Sequence, residues 1–497
     1  MNNKIQFPNI YYMRNMLYTL LISLFIGSDN QNIKDYNFII IYVDDLGYGD
    51  VGSYGHPSIK TPNLDKMSYE GQKWTQFYSA SSVCTPSRAA LMTGRLPIRN
   101  GMIGEKYRVL YENSDYGIPE SEITIAEKLK EQNYKTAAVG KWHLGHKQKY
   151  LPLNNGFDYY YGIPYSNDMN AVNGVTCCPG NNYWPQYKEN PINSNNYNVP
   201  LIENNDIIER PVDQTTITKR FSEKVVEKIK EMKDDKFFIY LSHSMPHIPI
   251  YASDDFIGKS KAGLYGDVIE EIDHGVGIIM NELRKNDLDK NTIVVFSSDN
   301  GPWLPFKTHG GSAGLLREGK GMTWEGGQRV PTIFWGPGIV KPGIVNDMGS
   351  TLDIINTFSK LAGLEIPNDR KMDGYDLSKV LTDLDSSPRD NFYYWGFAEL
   401  HAVRKNNLKL HMVGKLQSNK AKDAVRLFDY IHSVDNQKLA DVLAKQQKKL
   451  NKSLKYFIQV NIGNEIQKSG IPVGELDAFY NYCINEIDLK IIGLMVI

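Results

Sequence analysis

Apolar residues along this chain gather into short unbroken runs, and several runs stop at polar residues of the kind used in chemistry. Phe38-Ile39-Ile40-Ile41-Tyr42-Val43 stops at Asp44-Asp45, and Thr136-Ala137-Ala138-Val139 at Gly140-Lys141-Trp142-His143. Phe237-Phe238-Ile239-Tyr240-Leu241 leads to Ser242-His243 and then His247, and Thr292-Ile293-Val294-Val295-Phe296 to Ser297-Ser298-Asp299-Asn300-Gly301. Such runs suit strands buried on both faces of a sheet. Between them lie helical patterns. Over 267–284, Val268, Ile269, Ile272, Val276, Ile279, Met280 and Leu283 recur at threes and fours and mark one apolar face. Weaker helices fit 124–132 and 351–362, the latter closed by Gly363. Strands alternating with helices predict an α/β sandwich with a mostly parallel sheet, whose ligands bind beyond the carboxyl ends of the strands. Four strand ends deliver Asp, Lys, His and Asn to that side.

The N-terminus breaks this pattern. Arg14 precedes the apolar run from Met16 to Ile26, which closes at Gly27-Ser28. A short apolar core behind a positive charge reads as an export signal over 1–28, placing the protein in a secreted, periplasmic or lumenal compartment. The run is too short for a stable membrane span, although a core helix or an uncleaved anchor would share the pattern. With 41% hydrophobic and 23% charged residues among 497, the chain can bury a large core. A net charge of −1 gives no basic excess for nucleic acid. Four cysteines, Cys84, Cys177, Cys178 and Cys483, are too few for a disulfide framework.

Cys84-Thr85-Pro86-Ser87-Arg88 carries the densest chemistry. Pro86 suits the first turn of a helix that Ala89-Ala90-Leu91-Met92 continues, so Cys84 falls beside a helix N-terminus, which favours negative charge. Arg88 lies one turn on. Asp44, Asp45, Asp299 and Asn300 offer only hard oxygen ligands, a set that selects calcium or magnesium over softer metals. In an extended backbone Lys141 and His143 would point the same way. His247 lies between Pro246 and Pro249, with His243 nearby as a supporting group. Lys320 sits in the Gly-rich stretch Glu318-Gly319-Lys320-Gly321.

Extended through Thr93-Gly94-Arg95, the cysteine string resembles the signature of the sulfatase family, in the arylsulfatase A and N-acetylgalactosamine-6-sulfatase branch. Leu264-Tyr265-Gly266-Asp267 and the helix after it resemble the same branch. The resemblance implies an alkaline-phosphatase-like α/β fold and hydrolysis of sulfate esters on a small molecule or glycan. It implies that a formylglycine-generating or equivalent maturation enzyme oxidises Cys84 to Cα-formylglycine. It assigns Asp44, Asp45, Asp299, Asn300 and the residue-84 oxygen to a calcium ion, with magnesium as the alternative. It gives Ser166, Lys141, His247 and Lys320 to sulfate binding. The hydrated aldehyde would attack sulfur, Asp299 taking a proton, while His247 with Lys320 protonates the leaving alcohol. His143 would then deprotonate the second hydroxyl, and Arg88, Lys141 and Lys320 would stabilise developing charge. A related phosphate or phosphonate ester hydrolase shares the short motif, and an inactive chimeric product is a third reading.

The match covers about 37–410. The expected organisation is a catalytic domain over 37–385 and the start of a truncated antiparallel C-terminal subdomain over 386–410. From 411 the strings His411-Met412-Val413-Gly414-Lys415-Leu416-Gln417-Ser418-Asn419-Lys420 and Phe428-Asp429-Tyr430-Ile431-His432 resemble the pyridoxal-phosphate homeostasis protein family. That resemblance implies that 411–497 is an incomplete TIM-barrel-like fragment fused to the enzyme. The family's cofactor lysine and phosphate loop are missing from it, so no functional pyridoxal phosphate site is expected.

Overall fold

Strand β1 (Asn37–Val43) is buried along its whole length and organises the first 385 residues. Phe38, Ile40 and Tyr42 enter one core while Ile39, Ile41 and Val43 enter another on the opposite face, as a period of two requires. The computed structural model describes residues 35–104, 108–172, 193–405, 409–463 and 468–496. The segment read as an export signal and Cys177 and Cys178 lie outside the described residues. Within them, no helix is long and apolar enough to cross a membrane.

The other strands of the main sheet are β2 (Gln72–Tyr78), β3 (Lys135–Gly140), β4 (Tyr159–Gly162), β5 (Leu201–Glu203), β6 (Asp206–Glu209), β7 (Phe237–Ser242), β8 (Thr292–Ser298), β9 (Arg329–Trp335) and β10 (Gly343–Ser350). They align in the order β10-β2-β9-β8-β1-β7-β3-β4-β5-β6. Only β5 and β9 run against the rest, so the sheet is mostly parallel as expected. Helices cover both faces. On one lie α1 (Pro62–Glu70), α4 (Ile217–Met232) and α5 (Gly263–Lys285); on the other α2 (Cys84–Thr93), α3 (Ile125–Lys130) and α6 (Asp353–Leu361). The three helices read from periodicity, α3, α5 and α6, form within a few residues of their expected bounds. Thr124 and Glu127 start α3 with a capping box, each side chain accepting from the other's backbone N–H at 3.1 and 2.7 Å.

A second sheet holds β11 (Asn391–Gly396), β12 (Glu399–Lys405), β13 (Lys409–Met412), β14 (Tyr430–Val434), β15 (Lys455–Asn461), β16 (Ile471–Pro472) and β17 (Ile491–Val496). Its first three strands are antiparallel, with Ala402 opposite Met412. From β13 onward the pairing is parallel, with Met412 opposite Ile431. Helices α7 (Ala421–Leu427) and α8 (Gln437–Leu450) connect the parallel strands. Strand β13 therefore joins the two expected pieces into one sheet, and the boundary expected at 410–411 would fall inside a strand. A third core unites this sheet with the first: Tyr78 and Met348 pack with Phe392, Tyr394, Val425, Phe428, Ile431 and Leu443.

Candidate active site

The carboxyl ends of β1, β3, β7 and β8 meet the N-terminus of α2, and all the predicted catalytic and metal-binding residues gather there. Cys84 is the first residue of α2, with extended Val83 as its cap. Its thiol lies 3.5 Å from Asp44 Oδ1 and is buried. Burial, and then the Asp44 carboxylate, push this thiol far above its ordinary range, so the encoded sulfur stays protonated and is a poor nucleophile.

Arg88 is wholly buried one turn along α2. Its Nε and Nη2 donate to Asp299 Oδ2 at 3.0 and 2.7 Å, Nη1 to the Lys141 carbonyl at 3.2 Å and to Ser242 Oγ, and Nη2 lies 3.4 Å from Asp44. Lys141 Nζ donates to Asp44 Oδ2 and, at 3.1 Å, to Ser166 Oγ. Lys320 Nζ lies 2.8 Å from Asp45. Three buried carboxylates thus face three buried cations. Burial alone would raise Asp44, but Lys141, His247 and Arg88 together hold it well below the usual carboxylate range. Asp299 goes the other way, raised by burial and by its neighbour Asp44.

The two histidines are set by what their ring nitrogens touch. His143 Nε2 is 2.8 Å from the Leu110 carbonyl and must donate to it, which leaves Nδ1 unprotonated, buried and without a partner among the described residues. Burial and then Lys141 hold this ring well below its ordinary value, so it is a neutral base. His247 Nδ1 lies 2.6 Å from the Ile248 carbonyl and 3.1 Å from Asn167 Oδ1, so Nδ1 carries the proton. Its Nε2 faces Asp45 at 3.7 Å and Ser166 at 3.4 Å. The route by which His143 arrives differs from expectation. The chain is not extended through Lys141-Trp142-His143, because Trp142 and His143 N–H groups bond to Ile163 and Pro164 carbonyls and His143 adopts φ +60°. A left-handed residue, rather than alternation on one strand face, aims the imidazole. His243 is buried with neither ring nitrogen partnered among the described residues, and burial pushes it down to about 3.

The Lys320 loop is pinned from several sides. Lys320 N–H bonds to Pro302 O at 2.9 Å and Gly321 N–H to Ser82 O at 2.8 Å, with Gly321 at φ +83°. A side chain on Gly301, at the end of β8, would meet Gly326 O at 1.7 Å, so only glycine permits this approach. The second sheet braces the loop's far side: Thr323 Oγ1 lies 3.0 Å from His401, Phe428 packs on Trp324, and Arg317 lies 4.0 Å from Asp423 of α7.

Sequence reasoning missed several contributors. Asn167 orients His247, Ser242 holds Arg88, and Trp303 lies under both Lys320 and His247, with centroid distances of 4.3 and 5.4 Å. Arg108 and Asp168 also line the cleft, of about 210 Å³, above Cys84. The run Ser166-Asn167-Asp168, polar after a strand end, was the signal available for two of them. A larger open groove of about 970 Å³, between Tyr69, Arg284 and Gly338, contains none of these groups.

The oxygen donors fit a hard cation. Asp44, Cys84 and Asp299 offer ligand atoms within 4.8 Å of one another, and Asp45 joins Cys84 and His247 on the same terms. Asn300 Nδ2 donates to Asp45 Oδ1 at 2.7 Å, while Asn300 Oδ1 is buried with no partner among the described residues, an orphaned acceptor beside the carboxylates.

A family model described as Sulfatase matches residues 36–364, and one described as Alanine racemase, N-terminal domain, matches 371–497. The arylsulfatase A of Bos taurus is 39% identical over 389 residues, 76% of this chain and 74% of that protein. The N-acetylgalactosamine-6-sulfatase of Mus musculus is 39% identical over 392 residues, 76% of this chain and 72% of that protein. Among solved structures, the PsFucS1 sulfatase from Pseudoalteromonas sp. superposes with a TM-score of 0.65 at 30% identity, covering 81% of each chain.

Proposed function

The chain belongs to the sulfatase family, and from that premise we propose that it cleaves sulfate monoesters at the Cys84 cleft by a formylglycine- and cation-dependent route. Asp44, Asp45, Asp299 and Asn300 would hold the cation, calcium or in its place magnesium. Matured to Cα-formylglycine by a dedicated enzyme, residue 84 would supply a hydrated aldehyde, one oxygen as nucleophile and the other as the means of expelling sulfate.

The remaining steps belong to side chains already placed. Arg88 fixes Asp299 and Asp44 and adds positive charge under the nucleophile. Lys141 and Ser166 present an N–H and an O–H to the sulfuryl oxygens, in a water-poor site where such donors act most strongly. Doubly protonated, with Nδ1–H on the Ile248 carbonyl and Nε2–H toward Asp45, His247 would give the leaving-group proton, with Lys320 beside it to share that role. His143 Nδ1, unprotonated and partnerless, accepts the proton from residue 84 that restores the aldehyde. Charge balance supports the reading: the three buried acids and three buried bases cancel, so a divalent ion leaves the site positive and suited to an anionic ester.

One observation carries this proposal. The centre of the whole constellation is a thiol that burial keeps protonated, surrounded by ligands and donors that suit oxygen. The substrate names of the relatives, an aryl sulfate and a sugar 6-sulfate, agree with a small-molecule or glycan ester. For the segment after 410, we propose a fused barrel-type piece that serves the enzyme as structure, without a pyridoxal phosphate site. Parallel assays with a sulfate monoester and a phosphonate diester on one preparation test the reaction. Preference for the sulfate ester is expected, and preference for the phosphonate diester would overturn it.

A further inference from the structure

The buried cations of the cleft are already matched: Arg88 to Asp299 and Asp44, Lys141 to Asp44, Lys320 to Asp45. Arg108 is different. It lines the same cleft, is exposed, and pairs with no carboxylate among the described residues. Its guanidinium carbon lies over Phe397, in the turn between β11 and β12, 4.4 Å from the ring centroid. It also sits close over the catalytic loop, since a Cβ on Gly321 would fall 2.9 Å from Arg108 Nη1. A positive group stacked over the loop that carries Lys320, on the rim of a site suited to an anion, is repelled by its neighbours until negative charge arrives. A planar, oriented guanidinium suits two-point bonding to a carboxylate or sulfate.

We propose that Arg108 forms a second anion subsite, and that the preferred substrate is a sulfate monoester whose alcohol portion carries another anionic group, either a carboxylate or a second sulfate. The inference rests on the sulfatase reading and extends it to substrate choice. The cleft, about 210 Å³, has room for a single ring over Cys84. The apolar walls Val109, Met169 and Trp303 accept the ring face, and Arg108 receives the group projecting past the rim. The subsite combines an aromatic platform from the second sheet with a cation from the loop before Leu110, so it depends on both sheets being present.

Three probes test it on the matured, cation-loaded full chain: a monosulfated methyl glycoside, the same sugar linked to a uronate, and its disulfated form. Wild type is expected to favour both dianionic probes in kcat/KM, with the preference shrinking as salt rises. Arg108→Gln should lose about tenfold more on the dianionic probes than on the monosulfated one, the scale of one charge-assisted contact. The uronate and disulfate arms identify which anion the fork reads, and Arg108→Lys should retain part of the preference. Equal losses on all three probes, or a wild type without preference, would overturn the subsite while leaving the sulfatase reading standing. Failure of the matured wild type to hydrolyse any probe would overturn both.

Discussion

At the residue scale, the site is defined by which polar atoms are satisfied and which are left over. Asn300 Oδ1 and His143 Nδ1 are two of the buried side-chain atoms that have no partner among the described residues, and both lie in the cleft. Leaving such atoms unsatisfied costs about 1–3 kcal/mol each, which a protein tolerates where the atom has work to do. In the proposed reaction Asn300 Oδ1 would be a ligand of the cation. Calcium should therefore raise the thermal midpoint, by the equivalent of about 2.7 kcal/mol at a hundredfold excess over Kd, and chelation should reverse it. Asn300→Ala should shrink the shift; no stabilisation by calcium or magnesium in the wild type would contradict the assignment. In the proposed reaction His143 Nδ1 would be the base. His143→Asn should lower kcat about 10²–10⁴-fold with little change in thermal stability, measured by steady-state kinetics and thermal melts. A variant with near-normal kcat would remove His143 from the reaction.

At the element scale, strand ends bring the groups together and the second sheet steadies one of them. The Lys320 loop leans on β12 and α7 through Thr323, Trp324 and Arg317. Phe428, 8% exposed, is the largest apolar part of that support. Phe428→Ala should cost about 2–4 kcal/mol in chemical denaturation and reduce kcat/KM, because the loop loses its backing. Unchanged activity would show that the loop holds itself. Strand ends, helices α3, α5 and α6, and the Cys84 string were legible in the sequence because burial pattern and motif are local. Asn167, Ser242, Trp303 and Arg108 were not, since each acquires its role from a partner far along the chain. The continuity of the second sheet through β13 was hidden for a related reason: strands pair through backbone groups, whatever the sequence resemblance on either side.

A separate prediction concerns how α5 holds α1. Asp273 on α5 accepts from Asn63 N–H, Asn63 Nδ2 and Leu64 N–H at the start of α1, at 3.2, 2.8 and 2.8 Å. Burial pushes this carboxyl up to about 6 although those hydrogen bonds pull it down. A folded value above the unfolded one, about 3.9, means a proton is taken up on folding. That contribution is complete below about pH 4 and is lost as pH rises through 6. Urea titrations of wild type and Asp273→Asn from pH 4 to 7.5 should differ in slope, by on the order of 2–3 kcal/mol across the range. Parallel curves would show that Asp273 stays ionised.

At the scale of the whole molecule, two sequence families share one folded body. Among the described residues, the loops and strand ends of the first sheet carry every group proposed for the reaction, and the second sheet supplies packing through the core around Tyr78, Met348 and Phe392 together with the Phe397 platform. The sequence suggested a broken subdomain followed by an unrelated remnant; the structure joins both into a continuous seven-stranded sheet. The account of function turns on residue 84. Mass spectrometry of the peptide containing that residue, on chain coexpressed with a formylglycine-generating enzyme and assayed in parallel, tests it most directly. Aldehyde in place of thiol, in proportion to sulfate release and lost with turnover in Cys84→Ala, is the predicted result; full turnover by protein whose Cys84 remains an intact thiol would contradict it.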